Sequence, residues 1–252
     1  MSNWKLINKI YLYDGTFDGL LTIIFNCYCD KCFPQKILPE SDYIENFLDN
    51  ITLIKTDYSK SKRIFNGIEN NISHKALYNS YYAFLSDNSE KEINILKYVC
   101  TGFDQGPKID NMLTLSYVYK VINMRKRALG ECHKLKGLLR FIEVGDNMFY
   151  ASIHPDNNII EALGHHFINR LPSQNFIIHD KFRNICFIYN TKEYQIINSS
   201  NIKLPEISLK EKHYQELWKM FFKTIAIKER TNPKCQMNYM PKKYWKDLIE
   251  IP

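Results

Sequence analysis

Between positions 165 and 183 the chain gathers its densest set of chemically useful side chains: His165, His166, Arg170, His179, Asp180 and Arg183. His166 and Arg170 are four residues apart, so a helix sets both on one face, and a following hairpin could bring His179, Asp180 and Arg183 to it. Two chemistries suit such a group. Its cations could bind a phosphate, or Asp180 could orient a histidine as general base. His166, His179 and Asp180 are therefore the candidate catalytic residues, with Arg170 and Arg183 as candidate phosphate ligands. A structural explanation competes: Asp180 and Asn184 are turn formers, and one histidine can fill a hydrogen-bonding role in the core. The order His, then His-Asp, also has the outline of a metal phosphohydrolase. That architecture needs its ligands on packed helices, whereas His179-Asp180 reads as a strand end, so no metal is expected.

Other groups could contact a polyanion. From Lys120 to Arg140 lie Lys120, Arg125, Lys126, Arg127, Lys134, Lys136 and Arg140, with Glu131 as the lone acid. A helix so charged could follow a phosphate backbone with salt-dependent affinity, or simply be a solvated face. Tyr78, Tyr81, Tyr82, Tyr117, Tyr119 and Tyr150 could stack on unpaired bases, although most tyrosines serve core or rim. Arg230, Asn232 and Gln236 suit contacts to phosphates or base edges, and suit helix capping equally well. Tyr13, Asp14 and Thr16 surround a turn where a helix N-terminus could attract an anion; a tight turn plus N-cap accounts for Gly15 and Thr16 too. Cys27, Cys29 and Cys32 could suggest a metal or cluster site, but in a regular helix the first two point ~200° apart. The sequence holds no glycine-rich phosphate loop, dinucleotide fingerprint, nucleophile elbow or zinc-protease helix, so no cofactor is expected.

The elements that must carry these residues follow from pattern. A strand over 9–13 ends in Asp14-Gly15, and Thr16 caps a helix burying Phe17, Leu20, Leu21, Ile24, Phe25 and Tyr28; Pro34 and Pro39 are read as ending it. A strand over 51–56 precedes a helix capped by Asp57 that carries Ile64, Ile68 and Ile72. Helices over 74–85 and 90–101 come next, then the basic helix over 111–136. Strands over 138–144 and 148–154 flank Gly145-Asp146-Asn147, which is hairpin chemistry. A helix ending at 169 leads to strands over 176–179, 183–189 and 193–198, and helices over 209–227 and 242–249 close the chain. The expected fold is α+β, an antiparallel sheet covered by helices with a mostly helical N-terminal half. It forms one globular unit over 1–252, with sub-lobes 1–110 and 111–252.

Composition agrees with an ordered, cytoplasmic protein. Hydrophobic residues make up 45% of 252 positions, enough for a sizeable core without disulfides. Seven scattered cysteines are an odd number and read as reduced thiols. The first ten residues lack an apolar core, so no secretory signal is expected, and no apolar run approaches membrane-spanning length. A net charge of +7, segregated into the basic helix and a C-terminal cluster from Lys223 to Lys246 that includes Lys228, favours polyanionic partners.

Six blocks, in order along the chain, resemble a family of bacterial DNA-metabolism proteins that share a domain of unknown function. They are Tyr13-Asp14-Gly15-Thr16-Phe17-Asp18-Gly19-Leu20-Leu21, His133-Lys134-Leu135-Lys136-Gly137-Leu138-Leu139-Arg140-Phe141, Tyr150-Ala151-Ser152-Ile153-His154-Pro155, His166-Phe167-Ile168-Asn169-Arg170, Ile178-His179-Asp180 with Arg183, and Arg230-Thr231-Asn232 followed by Gln236 and Met240-Pro241-Lys242-Lys243-Tyr244-Trp245. Members of that family are encoded beside a radical-SAM protein related to spore photoproduct lyase, and some carry an added uracil-DNA glycosylase domain, which is not expected here beyond Pro252. The resemblance implies a DNA-binding component of repair or modification, recognising single-stranded or damaged DNA and working with a radical-SAM partner. A base-processing or phosphodiester-cleaving enzyme centred on His166, His179 and Asp180, and a non-catalytic protein adaptor, are the alternatives.

Overall fold

Thr16 sets the first helix as its spacing predicts: its backbone is extended (φ −87°, ψ 156°) and its hydroxyl accepts the Gly19 N–H. In the computed structural model, which describes residues 4–145, 147–199, 207 and 209–251, the chain divides into two compact units, Met1–Ala128 and Leu129–Pro252. Leu209 and Lys228 have a described backbone but not a described side chain, and Asp146, at the expected hairpin tip, lies outside the described residues.

The first unit is built on a β–α–β turn of chain. Strand β1 (Lys5–Tyr13) leads through helix α1 (Phe17–Asp30) into β2 (Cys32–Pro39), and β3 (Ile51–Leu53) joins the other side of β1. Both pairings are parallel. Around this sheet stand α2 (Tyr58–Gly67), which continues into a π turn over Ile68–Ile72, then α3 (His74–Phe84) and α4 (Lys91–Gln105). The half expected to be mostly helical thus also holds a three-stranded sheet. Pro34 and Pro39 do not end α1, as their breaker character suggests. Lys31 does so, turning into the left-handed region (φ 49°), and both prolines lie in β2. Strand β2 is at the sheet edge, where a missing N–H leaves no ladder bond unmade. Ile64, Ile68 and Ile72 are buried as predicted, joining Tyr13, Leu20, Leu21, Ile24, Tyr98 and Val99 in the core.

Helix α5 (Ser116–Leu138) spans the boundary between units. The second unit contains a five-stranded sheet in the order β4 (Ile142–Glu143), β5 (Met148–Ile153), β6 (Asn175–Asp180), β7 (Ile185–Tyr189), β8 (Tyr194–Asn198). This sheet is mixed, not antiparallel: β5 and β6 run parallel while the other neighbours are antiparallel. The cause is helix α6 (Ile160–Arg170), which carries the chain back to the starting end before β6 begins, as a crossover must. Gly145 (φ 79°) and Asn147 (φ 58°) provide the left-handed backbone of the β4–β5 turn.

Alternation along the strands gives this sheet two chemically distinct faces. Phe176, Ile178 and Phe187 pack beneath α6, where a Cβ on Gly164 would come within 2.3 Å of the Phe187 ring. The opposite face carries Tyr150, Ser152 and His179 among the apolar Ile177, Cys186 and Ile188. Helix α7 (Leu209–Ile225), a short helix α8 (Pro233–Tyr239) that the sequence pattern did not suggest, and a 3-10 segment over Lys242–Asp247 complete the unit. No helix among the described residues is long and apolar enough to cross a membrane.

Candidate functional site

His179 stands on the face of β6 turned away from α6, with both ring nitrogens engaged. Nδ1 is 3.0 Å from the Tyr150 hydroxyl and Nε2 is 2.8 Å from Ser199 Oγ. Burial, with Lys181 adding to it, holds the imidazole below its ordinary pKa and so neutral. Asp180, next in sequence, faces the other way and is fully buried. Its Oδ1 accepts the N–H groups of Phe182 (2.9 Å) and Arg183 (3.1 Å), and its Oδ2 accepts Arg183 Nη1 at 3.0 Å. The same guanidinium donates to the carbonyls of Pro155 and Asp156. Asp180 therefore shapes the β6–β7 turn, and Arg183 ties that turn to the loop after β5. Strand alternation separates Asp180 from His179, so this carboxylate does not orient that histidine.

His166 is partly exposed on α6, and burial together with the charges of Lys136 and Arg170 lowers its pKa. Those two cations border a cavity of about 640 Å³ that also takes in Arg140, Gln174, Phe141, Phe149 and Phe167. Residues from two of the sequence blocks, Lys136 to Phe141 and Phe167 to Arg170, thus meet at one concave surface. Lys136 and Arg170 are exposed and pair with no carboxylate among the described residues. Arg140 differs. Its Nη2 and Nε donate to both oxygens of Glu250 (2.6 and 3.3 Å), its Nη1 donates to the Gly137 and Leu139 carbonyls, and its guanidinium lies 5.8 Å from the Trp218 ring. Arg140 is a neutralised wall of the cavity, and Lys136 and Arg170 are its available charges.

The remaining sequence candidates lie apart from this cavity. Arg125 and Arg127 belong to the part of α5 in the first unit; Arg127 is exposed, and the buried Arg125 Nε has no hydrogen-bond partner among the described residues. Asn232 caps α8 by accepting the Cys235 N–H at 3.0 Å, while Arg230 and Gln236 are exposed. Tyr13 is buried and donates its hydroxyl to Glu92 at 3.1 Å. Asp14 occupies the turn before α1: Oδ1 accepts the Thr16 N–H (3.0 Å) and hydroxyl (2.7 Å), and Oδ2 accepts Thr56 Oγ1 at 2.6 Å. Burial opposes ionisation of Asp14, but the bonds from Thr56 and Thr16 prevail and lower its pKa. Cys27 is buried inside α1, Cys29 is exposed and Cys32 is buried in β2. Burial, then neighbouring Cys32 and Cys100, push the Cys27 thiol up and keep it protonated. Among the described residues no three His, Cys, Asp or Glu side chains converge as metal ligands.

Two clusters escaped the sequence reading. Glu131, the lone acid of the basic run, is buried and accepts five donors: the Asp156 and Asn157 N–H groups, Asn157 Nδ2, Lys243 Nζ and the Tyr244 hydroxyl, at 2.7–3.0 Å. Burial alone would raise its pKa; the bonds from Lys243, Asn157, Tyr244 and Asp156 bring it down to about 2. The second cluster links Ser152, His154 and Asp247. Ser152 Oγ donates to Asp247 Oδ1 at 2.9 Å, and His154 Nδ1 lies 2.9 Å from Oδ2. Ser152 and His154 sit in the Tyr150 to Pro155 block, which was the signal that pointed to them.

No curated protein sequence matches the chain significantly. A family model matches residues 89–250, which contain every sequence block from His133 onward but not the Tyr13 to Leu21 block. The chain therefore belongs to the family described as Domain of unknown function (DUF4130).

Proposed function

We propose that this protein binds single-stranded or otherwise unpaired DNA through the cavity bordered by Lys136 and Arg170, as the nucleic-acid-contacting component of a cytoplasmic repair or modification system. The observation that carries the reading is the meeting of two cations, unpaired among the described residues, with three phenylalanines in a cavity of about 640 Å³. Phosphates suit the cations, and an unpaired base suits the half-buried rings of Phe141 and Phe149, because every base has a stacking face, with buried Phe167 backing Phe141 edge-on. Duplex DNA, whose bases are already stacked, offers nothing to those rings. A radical-SAM protein as the chemical partner belongs to the proposal through the sequence resemblance.

The test is fluorescence anisotropy of labelled single-stranded, duplex and uracil-containing DNA across a salt series. The single strand is expected to bind best. Lys136→Ala and Arg170→Ala should each lower the salt slope by about 0.7 for every phosphate that the side chain neutralises. Equal binding of all three DNAs, or no binding at low salt, would sink the reading.

A specific observation also supports the adaptor alternative. Helix α7 exposes Tyr214, Leu217, Met220, Phe221 and Ile225, an apolar series unusual on a solvated surface. Co-purification of the radical-SAM protein without any DNA affinity would favour it.

A further inference from the structure

Helix α7 lays Glu211, Tyr214, Gln215 and Trp218, spaced three and four apart and so on one face, along a second cavity of about 550 Å³. Gly137, Arg140 and Phe141 line this cavity and the basic one alike, so the two hollows adjoin across a common wall. Their charges differ. Lys136 and Arg170 line the basic cavity and not the second, whose charged lining residues are Arg140, already paired with Glu250, and Glu211. The second cavity takes in three aromatic rings instead, those of Phe141, Tyr214 and Trp218.

Trp218 is fixed in place. Its indole N–H donates to Glu250 Oε2 at 3.1 Å, on the carboxylate that also takes the Arg140 bonds, and the Arg140 guanidinium lies 5.8 Å from the ring. The indole therefore needs no polar partner from a ligand and loses little freedom when one arrives. Trp218 is nevertheless 39% exposed, and Tyr214, one turn earlier, 55%. A phosphate finds no unpaired cation in this wall and meets a carboxylate in it. A flat, uncharged ring system gains stacking on Tyr214, Trp218 and Phe141, in a hollow of the size that small ligands occupy.

We propose that this cavity is a second stacking subsite for nucleic acid. A strand whose phosphate rests on Lys136 and Arg170 crosses the shared wall at Phe141 and places a neighbouring unpaired base against Tyr214 and Trp218. The inference rests on the nucleic-acid reading of the basic cavity and extends its footprint to at least two nucleotides, one hollow meeting charge and the other meeting a ring. Tyr214, which belongs to the exposed apolar series of α7, thereby acquires an occupant of defined chemistry.

The experiment follows the tryptophan fluorescence of the full chain during titration with three probes: single-stranded oligo(dA), an abasic strand of the same length, and adenosine, a base without a phosphate. Trp4 and Trp245 line neither cavity, so the change belongs to Trp218. Oligo(dA) should quench the wild-type emission, and Trp218→Phe, which keeps a ring but removes the indole, should abolish the quenching while binding persists. Tyr214 is more than half exposed, so its truncation spares the core. Tyr214→Ala should weaken oligo(dA) roughly 5- to 100-fold without altering the salt slope, because no phosphate contact is removed. The abasic strand should bind wild type and Tyr214→Ala equally. Oligo(dA) binding with Trp218 silent and Tyr214→Ala at full affinity would overturn the subsite and leave the basic cavity's reading intact, and a lower salt slope in Tyr214→Ala would overturn it by making the contact one to phosphate. Adenosine quenching at Trp218 with no strand bound at low salt keeps the stacking cavity and removes the nucleic-acid reading beside it. Silence towards all three probes removes both.

Discussion

Glu131→Gln is the substitution whose effect follows most directly from the geometry. The carboxylate accepts five donors from two stretches of chain, the loop at Asp156 and Asn157 and the segment at Lys243 and Tyr244. Lowering its pKa from the ordinary 4.5 to about 2 corresponds to about 3 kcal/mol of preference for the folded state at neutral pH. An amide keeps the shape but brings two donors into a pocket already full of donors, and it takes from Lys243 one of its two carboxylate partners, Asp156 remaining; leaving buried donors unmatched costs about 1–3 kcal/mol. The sign with pH is fixed, since the folded pKa is the lower one. The stabilisation is complete above about 4.5 and drains away as pH falls from 4.5 towards 2. Urea unfolding of the wild type, followed by tryptophan fluorescence, should therefore lose stability across that interval. The variant should begin with a lower midpoint and show a flatter acid limb. A variant within about 1 kcal/mol of wild type, with the same acid dependence, would refute the assignment of Glu131 as the hub of this unit.

Two further substitutions probe packing and pairing. Arg140→Ala leaves the buried Glu250 carboxylate and the Trp218 indole N–H without their arrangement, so thermal unfolding should show a loss of about 3–5 kcal/mol; a variant of wild-type stability with weakened DNA affinity would instead make Arg140 a direct ligand. Gly164→Ala drives a methyl group into the Phe187 ring and should cost about 1–3 kcal/mol in the same assay, and a neutral result would mean that α6 stands off the sheet in solution.

Local signals carried much of the fold. Thr16 and Asp57 read correctly as caps because a hydroxyl or carboxylate one residue before an apolar helical series has few other uses. Ile64, Ile68 and Ile72 read as one face because their spacing is helical. Strand β2 escaped because Pro34 and Pro39 are breakers in isolation and harmless on an edge, and edge status is a property of the sheet. The parallel pairing of β5 with β6 was implicit in the helix between them, but short strands rich in turn residues suggested hairpins throughout. The candidate site was legible as a set of blocks and not as a geometry. Lys136, Arg140 and Arg170 all stand out in the sequence, yet the partner that neutralises Arg140 lies 110 residues away. Glu131, His154 and Asp247 were missed for the same reason, since each acquires its chemistry from contacts more than 20 residues distant in sequence.

The first unit contains the framework in which nucleotide phosphates are commonly cradled, a parallel strand turning tightly into a helix N-terminus. In this chain the cradle holds a tenant of its own. Asp14 places a carboxylate where an incoming anion would sit, engages the Thr16 N–H and draws in Thr56 from the neighbouring connection. Gly19 leaves the room for it, since a Cβ there would lie 2.3 Å from that oxygen. The unit is thus self-liganded: the attraction that elsewhere captures a nucleotide is met here by the Asp14 carboxylate, which holds the unit's own first turn in place.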